Sequence, residues 1–128
     1  MNELSECTGT DKEIYLSKVS SGKDYIDLEK KINKKIQVID LCWLSDIDIK
    51  NLLKLIGGCA SVLIVDECRR SGCYGEGLMV DLQKASDAKL NIDIHTAENS
   101  FIPLGEGATS TLPSKDSIIE SAIRMLDA

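Results

Sequence analysis

From residue 13 onward the apolar positions fall into short blocks whose period switches between that of a strand and that of a helix. Glu13-Ile14-Tyr15-Leu16-Ser17-Lys18-Val19 alternates in part and predicts a strand, which Ser20-Ser21-Gly22 breaks. Tyr25, Leu28 and Ile32 then recur at helical spacing. Lys35 to Leu41 is β-branched and mostly apolar, the composition of a strand covered on both faces. Ser45, with Asp48 beyond it, reads as the N-cap of a helix with something close to a capping box. Ile49, Leu52, Leu53 and Ile56 form that helix's stripe, and Gly57-Gly58 ends it.

Ser61-Val62-Leu63-Ile64-Val65-Asp66-Glu67 carries the strongest buried-strand signal in the chain. A Gly-containing loop, Cys68 to Gly75, leads into a helix carrying Leu78, Val80, Leu82 and Ala85. Leu90 to Thr96 alternates as a further strand, and Phe101 to Pro113 is a long irregular connection. Ser114 then caps a closing helix whose apolar face is Ile118, Ile119, Ala122, Ile123 and Leu126. Residues 1–12 are polar and aperiodic, a tail or linker, so one domain is expected over 13–128. Strands alternating with helices imply an α/β fold of three layers, a largely parallel sheet with helices on both faces.

Composition narrows the function. The chain has 128 residues, a net charge of −6 and a pI near 4.7. Phosphate contacts need clustered cations, so non-specific binding to nucleic acid or to anionic membrane is disfavoured. The dense basic stretch Lys30, Lys31, Lys34 and Lys35 reads as a solvated helix end. No apolar run is long enough to span a bilayer and no basic-then-apolar leader is visible, so a cytoplasmic protein is expected. The five cysteines, Cys7, Cys42, Cys59, Cys68 and Cys73, lack the paired spacing of a zinc site, and His95 is the sole histidine. They read as reduced, mostly buried thiols in preference to the alternative of a redox pair formed by Cys68 and Cys73 across a Gly-containing turn. No metal is expected.

In open α/β sheets ligands gather beyond the carboxyl ends of strands, which directs attention to residues 40–45, 66–75 and 98–105. In the middle segment Glu67, Arg69 and Arg70 stand with Gly72 and Gly75 before a helix start, a candidate anion-binding or interface loop. Its glycine spacing reverses that of the dinucleotide fingerprint, which favours a structural turn. Asp66 and Glu67 are adjacent and face opposite sides of a strand, so they cannot form a carboxylate pair. One of them is expected to cap backbone amides or to pair with Arg69 or Arg70. Asp40, Asp46 and Asp48 do not read as a metal cluster, since the last two suit the start of a helix. His95 has no nucleophile beside it in sequence and reads as a hydrogen-bonded, partly buried residue. Trp43 reads as a cap on the sheet edge or an interface residue. No catalytic residue is assigned.

Taken in order, Ile39-Asp40-Leu41-Cys42-Trp43-Leu44-Ser45-Asp46-Ile47-Asp48, Leu63-Ile64-Val65-Asp66-Glu67 and Arg69-Arg70-Ser71-Gly72-Cys73-Tyr74-Gly75-Glu76 resemble the C-terminal domain of the transketolase superfamily. So do Phe101-Ile102-Pro103-Leu104-Gly105-Glu106 and Leu112-Pro113-Ser114. Within that superfamily the chain looks most like the β part of thiamine-diphosphate-dependent 2-oxo acid dehydrogenase E1 components. The resemblance implies a mostly parallel five-stranded sheet with one antiparallel strand. It implies an oxidoreductase as the parent enzyme, with thiamine diphosphate and Mg held by other domains and none in this one. It also implies partners: the remaining E1 domains or subunits in a homodimer or heterotetramer, and the subunit-binding domain of the E2 core. Transketolase and deoxyxylulose-phosphate synthase share the domain and are the nearer alternatives, while a stand-alone anion- or protein-binding regulatory module is the more distant one. The chain departs from the family pattern at Cys42, where the family has Arg, at Asp46, where it has Pro, and at Cys68, where it has Gly. Losing that Arg weighs against an anion site at this corner.

Overall fold

The strand Ser61–Arg69 organises the molecule, because its first five residues are buried on both faces. In the computed structural model, which describes residues 14–17, 30, 36–41, 44–59 and 61–127, this is the third strand in chain order, β3. It follows β1 (Ile14–Ser17), β2 (Ile36–Ile39) and helix α1 (Ile49–Leu55). After it come α2 (Tyr74–Ala85), β4 (Asn91–Ala97), a 3-10 turn (Gly105–Thr109) and α3 (Lys115–Asp127). The helices are numbered over the described residues.

The sheet runs β2-β1-β3-β4 and every pairing is parallel. The order reverses at β1, which has β2 on one side and β3 on the other. That is the topological switch point of a doubly wound sheet. Each face of β3 has its own core. Val62 and Ile64 pack with Leu52 and Ile56 of α1 and with Leu78 and Leu82 of α2. Leu63 and Val65 pack with Ile118, Ile119, Ala122 and Met125 of α3. The alternation of a strand thus feeds two layers of helix, and the expected three-layer α/β/α arrangement is present. The antiparallel fifth strand implied by the family resemblance is not among the described residues. Apart from Lys30, which is helical, the helix expected at Tyr25–Ile32 lies outside them, as do the tail 1–12, Trp43, Cys7 and Cys42.

Several local readings are corrected. Asp48, rather than Ser45, is the N-cap of α1: its Oδ1 accepts the amide of Asn51 at 3.0 Å. A carboxylate is the better choice there, adding a favourable charge to the hydrogen bond at the helix's positive end. β3 continues past Glu67 to Arg69, with a register irregularity between Asp66 and Arg69. Val80 and Ala85 are solvent-exposed, since α2 buries Gly75, Leu78 and Leu82, one narrow stripe. Ile123 is exposed too, and Met125 takes its expected place in the α3 core. The long connection to Pro113 contains the 3-10 turn. Ser114 behaves as expected: its Oγ accepts the amide of Ser117 at 3.1 Å, and Ser117 Oγ accepts the amide of Ser114 at 3.0 Å.

Candidate functional site

A crevice of about 400 Å³ opens at the carboxyl edge of the sheet, above the ends of β2 and β3 that flank the switch-point strand. Asp40 and Leu41 just past β2, Ile64 to Cys68 from β3, and Tyr74, Gly75 and Leu78 from α2 line it, with Leu44 at its side. Its volume falls in the range of small-ligand clefts. The floor is aliphatic and the carboxylates of Asp40, Asp66 and Glu67 make the lining acidic.

Asp66 sits where the β3 ladder becomes irregular, and its carboxylate works on backbone amides. Oδ1 accepts the amide of Cys68 at 2.9 Å and Oδ2 accepts that of Gly75 at 3.1 Å. The side chain therefore joins the end of a strand to the first turn of α2, the amide-capping role expected for one member of the Asp66–Glu67 pair. Partial burial alone would raise its pKa, but the amides of Cys68 and Gly75 and the thiols of Cys68 and Cys73 outweigh that and hold it below 3.8. It is ionised at neutral pH.

The loop that follows is tied to itself. Arg70 Nη1 donates to the Ile94 carbonyl at 3.2 Å, and its Nε lies 3.7 Å from Glu76 Oε1. The other Glu76 oxygen accepts the Gly72 amide at 2.9 Å. Arg69 Nε reaches the Ser71 carbonyl at 3.4 Å, and Asn99 Nδ2 donates to Ser71 Oγ at 3.1 Å. Glu67, Arg69, Arg70, Gly72 and Gly75 are thus neighbours in space, but the amides that would cradle a phosphate already have carboxylate partners. Gly72 serves the turn, with φ of 78°. Gly75 serves packing, because a Cβ there would lie 2.5 Å from Ile94 Cδ1 and 3.1 Å from Ile64 Cγ2. Among the described residues no three metal-ligating side chains converge.

His95 lies on the α3 face of β4 and has two serines beside it that chain order hides. Its Nδ1 is 2.9 Å from Ser121 Oγ and its Nε2 is 3.0 Å from Ser117 Oγ. Ser117 gives its own proton to the Ser114 carbonyl at 2.9 Å, so it accepts from Nε2. Nδ1 then accepts from Ser121, whose oxygen accepts from Arg124 Nη2 at 3.2 Å. Every proton has a destination, and the imidazole is neutral with its hydrogen on Nε2. Burial and the nearby Arg124 lower its pKa below 6.5, with Asp93 opposing. Neither hydroxyl is set up as a nucleophile: Ser121 is buried, and Ser117 spends its proton on backbone. The clue in the sequence was the spacing of Ser117 and Ser121, one turn apart on a single helix face.

Beyond β4, Phe101, Ile102 and Leu104 are 88%, 59% and 97% exposed. Large apolar side chains left together in water mark interaction surfaces.

No family model and no curated protein matches the chain. Among solved structures, a split-gene transketolase described as an inactive β4 tetramer matches with a TM-score of 0.61 and 15% identity. The match covers 92% of this chain and 40% of that one. A diflavin flavoprotein A3 from Nostoc sp. matches at a TM-score of 0.44 and 17% identity, over 91% of this chain and 71% of that one. The first likeness shows a transketolase-like α/β fold. No helix among the described residues is long and apolar enough to cross a membrane.

Proposed function

We propose that the chain is the C-terminal assembly domain of a thiamine-diphosphate-dependent enzyme of the transketolase superfamily. Within that superfamily the reading is the E1 component of a 2-oxo acid dehydrogenase. The parent would oxidatively decarboxylate a 2-oxo acid and pass the acyl group to lipoyl-E2. The observation that carries the reading is the fold likeness to the split-gene transketolase, of whose length this chain spans 40%. Thiamine diphosphate would supply the carbanion chemistry from other domains. In this reading the chain's own residues contribute contacts, not catalysis.

Two features support an assembly role. The apolar residues Phe101, Ile102 and Leu104 follow the carboxyl end of β4 and are largely exposed. The crevice lining and the net charge of −6 are both negative, which complements a basic subunit-binding domain. The rival is a stand-alone regulatory module.

The test is affinity purification of the tagged full-length gene product from its own cells, followed by mass spectrometry and assay of 2-oxo acid decarboxylation. Recovery of a thiamine-diphosphate-binding chain or domain together with an E2 core is expected. Recovery with a sugar-phosphate transferase activity would favour transketolase or deoxyxylulose-phosphate synthase. A free protein of 14.0 kDa without such partners would overturn the assembly reading, as would decarboxylation by the isolated chain.

A further inference from the structure

Among the described residues seven large apolar side chains are exposed, and five of them gather at the carboxyl edge of the sheet. Leu44 and Tyr74, 47% and 43% exposed, line the crevice, while Phe101, Ile102 and Leu104 follow β4 in the connection to α3. The two groups are tied together. Asn99 Nδ2 donates to Ser71 Oγ at 3.1 Å, and Ser71 belongs to the turn whose ends, Cys68 and Tyr74, line the crevice. Phe101 stands two residues past Asn99, a reach of at most about 7 Å between their Cα atoms. The connection is closed at its base, where the Glu98 amide donates to the Thr111 carbonyl at 2.9 Å. The other two exposed side chains, Val80 and Ile123, stand singly on α2 and α3.

Charge decides what covers this edge. Asp40, Asp66 and Glu67 line the crevice with no cation among the lining residues, and exposed Glu98 and Glu106 flank the apolar segment. Arg70 in the neighbouring turn is already paired with Glu76. An anionic membrane would be repelled. A second copy, also of net charge −6, would set the same carboxylates against each other. An aliphatic floor under an acidic lining suits a side chain with an apolar stem and a cationic head. We propose that the carboxyl edge is the docking surface for a basic protein segment, which lays a lysine or arginine stem on the crevice floor and its apolar residues on Phe101, Ile102 and Leu104. The inference rests on the assembly reading only in that a protein partner exists; the chemistry of the parent enzyme does not enter it.

The experiment pans a phage-displayed dodecapeptide library against the tagged full chain at low ionic strength, then measures the selected sequences as synthetic peptides by calorimetry. Peptides carrying Arg or Lys beside large apolar residues are the expected selection. Their affinity should fall about tenfold or more for Asp40→Asn/Glu67→Gln, and as much for Phe101→Ser/Leu104→Ser, the loss that central contacts of an interface produce. All four side chains are exposed, and thermal melts verify that both variants fold. Salt at about 0.5 M should weaken binding more in the wild-type chain than in Asp40→Asn/Glu67→Gln. Neutral or acidic peptides, peptides indifferent to both variants, or an empty selection would overturn the proposal. So would n-butylguanidinium binding as tightly as the peptides, which would make the crevice a small-amine site. Any of these results alongside a recovered E2 core would move the docking surface elsewhere and leave the assembly reading standing.

Discussion

Gly75 and Ile94 meet so closely that the helix α2 can take its position only because residue 75 has no side chain: a Cβ would stand 2.5 Å from Ile94 Cδ1. The first turn of α2 consequently lies against β3 and β4, and the Gly75 amide reaches Asp66. Gly75→Ala should destabilise the fold by about 1–3 kcal/mol, the usual cost of overpacking a core. Chemical denaturation measures this. Adding Ile94→Val removes the offending methyl, so the double variant should be less unstable than the sum of the two single changes. Additive losses would mean that the helix moves rather than the side chain.

Asp66→Asn keeps one acceptor for two amides, whereas Asp66→Ala leaves both the Cys68 and Gly75 amides without their partner. Asp66→Ala should cost about 1–3 kcal/mol and Asp66→Asn less, because the part-buried Gly75 donor loses its bond without regaining water, while the exposed Cys68 amide can be rehydrated. Amide exchange at Gly75 should accelerate in both. Because the native carboxyl titrates below 3.8, its stabilisation is present above that value and is lost as pH falls through the lower native pKa.

His95 gives proton linkage of the same sign, in a higher pH range. Its native pKa lies below 6.5, so the unfolded chain binds the proton more tightly. Stability is full above pH 6.5 and falls as pH drops through the lowered native value. The imidazole resonances should report a midpoint below 6.5, and denaturant midpoints should decline over the same interval. In Ser121→Ala the Nδ1 acceptor loses its donor and Arg124 loses an acceptor, which should cost about 1–3 kcal/mol at pH 8. A midpoint above 6.5 would contradict the dominance of burial and Arg124 over Asp93 at this imidazole.

Ser114 and Ser117 exchange hydrogen bonds at the start of α3. Ser114→Ala should destabilise by about 0.5–2 kcal/mol, the cost of losing an N-cap. Ser117→Ala should cost more, since it removes the acceptor for His95 Nε2 as well as the acceptor for the Ser114 amide. Thermal melts of both variants at one pH decide the order.

Ser61–Val65, Ile36–Ile39 and the Ile118–Ala122 stripe were legible in the chain as it stands, because each element buries its own periodic face and burial is a local pattern. The same is true of Ser114 as a cap and of the parallel α/β order, which follows from alternating periods. Val80, Ile123 and Met125 were not legible in this way. Helical spacing leaves a residue at the margin of the stripe, and only the neighbour across the interface decides which margin is covered. Likewise chain order assigned amide capping or an arginine pairing to one of Asp66 and Glu67, but that Asp66 caps, and that its second partner is Gly75, is known only once α2 folds back onto β3. His95 needed α3 laid along β4 before Ser117 and Ser121 could meet it. The loop arginines were read as anion binders or as partners of Asp66 or Glu67, and the fold gives them backbone carbonyls and Glu76 instead, acceptors that no residue pattern announces. Local periodicity thus determined the elements and their layering. The contacts between layers, which set every proton and every tight packing at the crevice, arise only from tertiary structure, because they join residues whose separation along the chain carries no signal.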